Sequence, residues 1–157
     1  MEDFNILFSP LTFMGLLVSF CCGGAVGLER RISGKAAGIR TSILICLGSY
    51  AFVALSTALS QNESTDDTRV LGQVITGIGF LGAGVMLNRG KKVKGVTTAA
   101  VIWVLAGIGA YVGFGKYSAA TAITIVTVFV LYFLGKLEYH ITKWLDEREK
   151  AILDDDD

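Results

Sequence analysis

The chain has 157 residues, 52% of them hydrophobic, a single proline and a mean hydropathy of +0.57. Fourteen Lys and Arg balance fourteen Asp and Glu, yet five runs contain no Asp, Glu, Lys, Arg or His: Phe4–Leu28, Thr41–Asn62, Val70–Asn88, Gly95–Gly115 and Tyr117–Gly135. Each reaches or nearly reaches the roughly 20 residues that a helix needs to cross about 30 Å of hydrocarbon. This leaves no room for a soluble domain and predicts an all-α, polytopic membrane protein with a bundle of five transmembrane helices. An outer-membrane barrel is not expected, because barrel strands alternate apolar and polar residues over about ten positions and these runs are continuously apolar.

The first run follows Glu2 and Asp3, where a cleavable signal would carry positive charge, and four further runs come after it. It therefore reads as a retained span. Its second half holds Gly23 and Gly27, a small-xxx-small pair of the kind that lets helices approach closely in lipid. Glu29 and Arg30 close it, and Arg31, Lys35, Gly38, Arg40 and Thr41 lead into the second run. Most bases at span ends are anchors that reach the interface. That rule gives no reason for an acid, so Glu29 is expected to pair with Arg30 or Arg40.

After the second run come Glu63, Asp66, Asp67 and Arg69. Asp67 is placed to cap the third helix by accepting from its free N–H groups. With Asp66 and Glu63 it also marks the one outer position where a hydrated Mg²⁺ could meet more than one carboxylate. No specific ligand set identifies a cofactor, and capping is the preferred role.

The third run holds Gly72, Gly77, Gly79, Gly82 and Gly84. Gly72, Thr76, Gly79 and Ala83 recur at steps of four, three and four as one side-chain-poor stripe, with Gly77 and Gly84 a heptad apart on a neighbouring face. Two readings are open: a packing centre for the bundle, within the monomer or across a dimer, and a close-walled pathway where bare backbone faces a solute. Packing is favoured, because small residues are the ordinary interface between membrane helices. No span interior carries an acid, a base or a histidine, which disfavours proton coupling through buried carboxylates. The most polar candidates are Gln73, Thr76, Thr97, Thr98, Thr121, Thr124 and Thr127.

Arg89, Lys91, Lys92 and Lys94 form a basic loop before the fourth run, which carries Trp103 and the pair Gly109 and Gly113. Only Lys116 separates the fourth run from the fifth. Basic and non-basic loops thus alternate, which places the N-terminus outside and the C-terminus in the cytoplasm. Residues 1–137 form the membrane domain, and 138–157 a short, charged, partly helical tail with Ile141, Trp144 and Leu145 on its apolar side. Asp154–Asp157 read as a solvated end. Cys21, Cys22 and Cys46 sit in apolar runs and His140 in the tail, so no zinc spacing exists. No nucleophile–base pair, phosphate-binding loop or nucleotide motif is visible, and the chain is read as a non-enzyme. The basic loops suit anionic lipid headgroups or an acidic partner rather than nucleic acid.

Four blocks carry a resemblance: GGAVGLER at Gly23–Arg30, AGIRT at Ala37–Thr41, DTRVLGQVITGIGFLGAG at Asp67–Gly84 and VKGVTTAAVIW at Val93–Trp103. In order and spacing they resemble the MgtC/SapB family of bacterial inner-membrane proteins. The resemblance implies a multi-pass protein of the cytoplasmic membrane, linked to growth in low magnesium and, in some pathogens, to survival inside macrophages. It implies action by modulating other membrane proteins, including the proton-translocating ATP synthase, rather than by catalysis. A homo-oligomer, with a dimer favoured, is expected. The family blocks map onto Glu29, Arg30, Gly38, Arg40 and Thr41, then Asp67, Arg69, Gln73, Gly79, Gly82 and Gly84, then Gly95, Thr97, Thr98 and Trp103. The MgtC branch carries a soluble C-terminal domain where this chain has a short tail, so the SapB-like form is the nearer comparison.

Overall fold

Thr12 opens the first helix. In the computed structural model, which describes residues 11–59, 67–89, 92–137, 141 and 143–145, helix α1 runs from Phe13 to Ile32, and Thr12 Oγ1 accepts from the Gly15 N–H at 3.0 Å. That hydroxyl satisfies one of the N–H groups a helix start leaves without a partner. The earlier part of the first run, Phe4–Pro10, lies outside the described residues. At its other end α1 stops at a left-handed glycine. Gly34 has φ +65°, Gly34 N–H donates to Arg31 O at 3.2 Å, and Lys35 N–H donates to Arg30 O at 3.0 Å. These two bonds make a Schellman motif, which ties off carbonyls that the helix leaves free.

Next come α2 (Ile39–Leu59), α3 (Asp67–Val85), α4 (Val96–Gly113) and α5 (Tyr117–Phe129), the last running on through a π-helical turn at Val130–Leu134. α4 ends as α1 does, with Gly115 at φ +70° and Lys116 N–H donating to Tyr111 O at 2.8 Å. α1, α2, α4 and the segment Tyr117–Leu137 are long and apolar enough to cross a membrane. α3, with 19 residues, rises about 28 Å at 1.5 Å per residue, and its apolar part, Arg69–Val85, is the shortest of the five.

The sequence reading carried the third run to Asn88 and a loop beyond it. The helix instead stops at Val85, and Leu87–Arg89 (β1) pairs antiparallel with Lys92–Lys94 (β2), Leu87 opposite Lys94. Consecutive basic residues masked the strand pattern, because alternation of apolar and polar residues is what reveals a half-buried strand.

The bundle is centred on α2, which touches α1 on one side and α4 on the other. Gly23 and Gly27 bring α1 against α2. A Cβ at Gly23 would lie 2.8 Å from Ile43 Cα, and one at Gly27 would lie 2.6 Å from Ile39 Cα. Gly109 and Gly113 do the same for α4: a Cβ at Gly109 would meet the Cys46 carbonyl oxygen, and one at Gly113 would lie 2.6 Å from Val53 Cβ. Within the protomer the packing centre is therefore α2 and not α3. Gly72, Gly77, Gly79 and Gly84 have nothing within 4 Å of an added Cβ, and only Gly82 has a neighbour, Ala99 of α4, at 3.6 Å. α3 rests on α4 along one seam and leaves most of its small-residue surface uncovered within the protomer.

One hydroxyl locks α1 to α2. Tyr50 is 2% exposed, its Oη accepts from the Thr12 N–H at 2.8 Å and donates to the Thr12 carbonyl at 3.3 Å, and its ring fills the space that Gly15 leaves. Tyr50→Phe keeps the ring and removes both bonds. Thermal unfolding in detergent is expected to show a loss of about 1–2 kcal/mol, the usual worth of two such bonds less their hydration.

Candidate functional site

The Schellman turn after α1 folds Lys35 back toward the last helical turn, where Glu29 and Arg30 are both buried, at 8% and 3% exposure. Sequence neighbours on a helix do not face one another, so the two side chains meet only by bending into one space. Arg30 Nε lies 3.7 Å from Glu29 Oε2, and Glu29 Oε1 accepts from Ser33 Oγ at 2.6 Å. The partnership expected of Glu29 is with Arg30, and Arg40 is exposed. The pairing is an ion pair without a close hydrogen bond, because Glu29 Oε2 and Arg30 Nε have no hydrogen-bond partner.

This pair lines a cleft of about 630 Å³. The cleft continues through the start of α4, with Gly95, Thr97 and Thr98, to the last turns of α5, with Leu131, Leu134 and Lys136. Gly95 is required there twice over. Its φ of +93° is left-handed, and a Cβ would strike the Val85 carbonyl. Thr98 is buried and Thr97 exposed. Lys136 lies over the Tyr132 ring, 4.4 Å from its centroid, and donates to Tyr132 Oη at 2.7 Å. The first and third family blocks thus meet in space although some 65 residues separate them in the chain.

A second opening lies along the side of the bundle. Residues of α2 and α3 line a groove of about 600 Å³ whose walls are nearly all apolar. Thr41, Ser49 and Gln73 are its polar members, and Gly48 and Gly77 are among its lining residues. The side chains beside it, Leu44 and Phe52 on α2 and Leu81 on α3, are exposed.

The remaining candidates are scattered. Gly38 has open space around it. Arg69 is exposed in the first turn of α3, and Asp67 is the first residue of that helix. Asp66 lies outside the described residues, as do His140 and Asp154–Asp157. Trp103 is 56% exposed on the outer side of α4 and belongs to neither opening. Glu63 and Asp66, two of the three carboxylates of the outer magnesium candidate, lie outside the described residues. No three His, Cys, Asp or Glu come together among the described residues, and the free oxygen of Glu29 faces a guanidinium. Tyr50, Gly34 and Ser33 were missed by sequence reasoning. Gly34 had a signal, a glycine just beyond an apolar run and followed by lysine.

The MgtC family model matches residues 16–140. YhiD of Escherichia coli K12, named as a candidate magnesium transporter, is 39% identical over 132 residues, 80% of this chain and 61% of its own length. Protein MgtC of Brucella abortus strain 2308 is 39% identical over 119 residues, 76% of this chain and 49% of its own. Protein MgtC of Salmonella typhimurium strain LT2 is 36% identical over 126 residues, 80% of this chain and 52% of its own. The chain thus spans about half to three fifths of the length of the curated relatives it matches. No solved structure matches it.

Proposed function

The chain belongs to the MgtC family, and from that premise we propose that it acts without catalysis, modulating other membrane proteins during adaptation to low magnesium or in virulence. It is a multi-pass protein of the bacterial inner membrane. The observation that supports a modulator is the uncovered face of α3, where four glycines meet nothing within the protomer while that helix and α2 line a groove. Membrane helices associate through close contact across small residues, and this face offers such contact to a helix from outside. The regulated protein supplies that helix, the ATP synthase being one candidate from the family resemblance. A second copy of this chain, as a dimer, is the competing occupant.

Gly79→Leu combined with Gly84→Leu tests the reading, since both positions are open in the protomer. The variant is expected to fold with the wild-type thermal midpoint, lose its complexes in native mass spectrometry and fail to restore growth in low magnesium. Intact complexes together with normal growth would count against the modulator.

A carrier is the second reading. Gln73 and Thr41 place hydrogen-bonding groups in the otherwise apolar groove, and the name of YhiD describes a transporter. Solute flux in proteoliposomes that falls on Gln73→Leu would favour it.

A further inference from the structure

α4 begins without a side-chain cap. Its N-cap is Gly95, which has no side chain to accept from the first turn. A helix start leaves its first N–H groups unpaired, with the positive end of the helix dipole behind them, and the residues of this one, Gly95, Val96, Thr97 and Thr98, line the cleft. An independent observation points to the same place. Arg30 lines this cleft, is 3% exposed, and has a buried Nε that makes no hydrogen bond, its ion-pair partner Glu29 Oε2 standing off at 3.7 Å. Lys35 and Lys136 add two more cations, against which stands one carboxylate, Glu29, already bonded through Oε1 to Ser33. Uncapped amides beside a cluster of bases are the ordinary elements of a phosphate site.

The rest of the cleft is not shaped for a free anion. Val130, Leu131 and Leu134 give it an apolar wall on the last turns of a helix long enough to cross the membrane. A free phosphate would leave that wall uncovered, whereas a lipid covers both halves. The site also lies at the basic end of the bundle, where positive residues meet headgroups.

We propose that this cleft is a binding site for an anionic phospholipid, its phosphate held by the α4 N-terminus with Arg30, Lys35 and Lys136, and an acyl chain lying on the apolar wall of α5. The site is independent of the α2–α3 groove, so its test does not depend on the modulator reading.

The full chain, purified from vesicles of phosphatidylcholine doped with phosphatidylglycerol, is examined for retained lipid by native mass spectrometry. Phosphatidylglycerol is expected to be retained over phosphatidylcholine. A lysine near an anionic surface contributes about 1 kcal/mol, so Lys35→Gln with Lys136→Gln should reduce that preference by roughly tenfold or more. Both lysines are exposed, and the thermal midpoint should stay unchanged. Arg31→Gln with Arg40→Gln removes the same charge from exposed residues outside the cleft and should leave the preference intact. Equal losses in the two pairs would mean diffuse surface attraction and overturn the site. Inorganic phosphate binding to the cleft without any preference for phosphatidylglycerol would overturn the lipid assignment.

Discussion

Gly109→Ala is expected to destabilise the protein by about 2 kcal/mol, while the larger change Gly79→Leu leaves its stability within about 0.5 kcal/mol of wild type. At Gly109 the backbones of α2 and α4 are in contact. An added methyl group meets the Cys46 carbonyl oxygen and lies 2.8 Å from Ser49 Cβ. No flexible side-chain end is available to move, so the helices must separate. That separation also stretches the bond from Cys46 Sγ to Leu105 O, 3.3 Å in the native bundle, and loosens the fully buried Leu105 and Ile108. Overpacking of this kind costs about 1–3 kcal/mol. The higher helix propensity of alanine offsets up to about 1 kcal/mol of it. Gly79 has open space around it, so a leucine there points outward. Unfolding midpoints in detergent micelles compare the two directly, and a Gly109→Ala protein as stable as wild type would refute the α2–α4 contact.

That contrast marks the limit of what the sequence made legible. Uncharged runs of the right length announced the helices, because crossing a bilayer fixes length and composition together. The Gly23 and Gly27 pair was also readable, and it does bring α1 onto α2. The glycines of α3 look the same in sequence, indeed denser, yet most of them meet nothing. A glycine shows only that close approach is permitted; which helix approaches depends on the whole arrangement. The Glu29–Arg30 pair was legible from an acid where sorting by charge needed none. Its cleft was not, since Thr97, Thr98 and Lys136 reach it only through the folding of α4 and α5. Tyr50 lacked a signal of its own kind, being one of several hydroxyls in an apolar run, and its partner, the Thr12 backbone, lies 38 residues away.

Glu29→Gln is the second large effect, an expected loss of about 3 kcal/mol in zwitterionic micelles. The amide is nearly isosteric with the carboxylate and can still accept from Ser33, so the 2.6 Å hydrogen bond is not what changes. What changes is the charge beside Arg30, which stays buried with Lys35 and Lys136 lining the same cleft and the residues at the positive end of α4 lining it as well. A buried cation that loses its counter-ion is far more costly than a pair removed together. The double variant Glu29→Gln with Arg30→Gln should therefore recover part of the loss, with a coupling of about 0.5–3 kcal/mol between the two positions. Anionic lipid adds a further condition. If phosphatidylglycerol supplies its phosphate to this cleft, it also supplies negative charge to Arg30, and the loss caused by Glu29→Gln should shrink in bilayers that contain it. The same deficit in neutral and anionic bilayers would show that Glu29 alone balances Arg30, and equal stability of Glu29→Gln and wild type in neutral micelles would show that the pair carries no charge coupling.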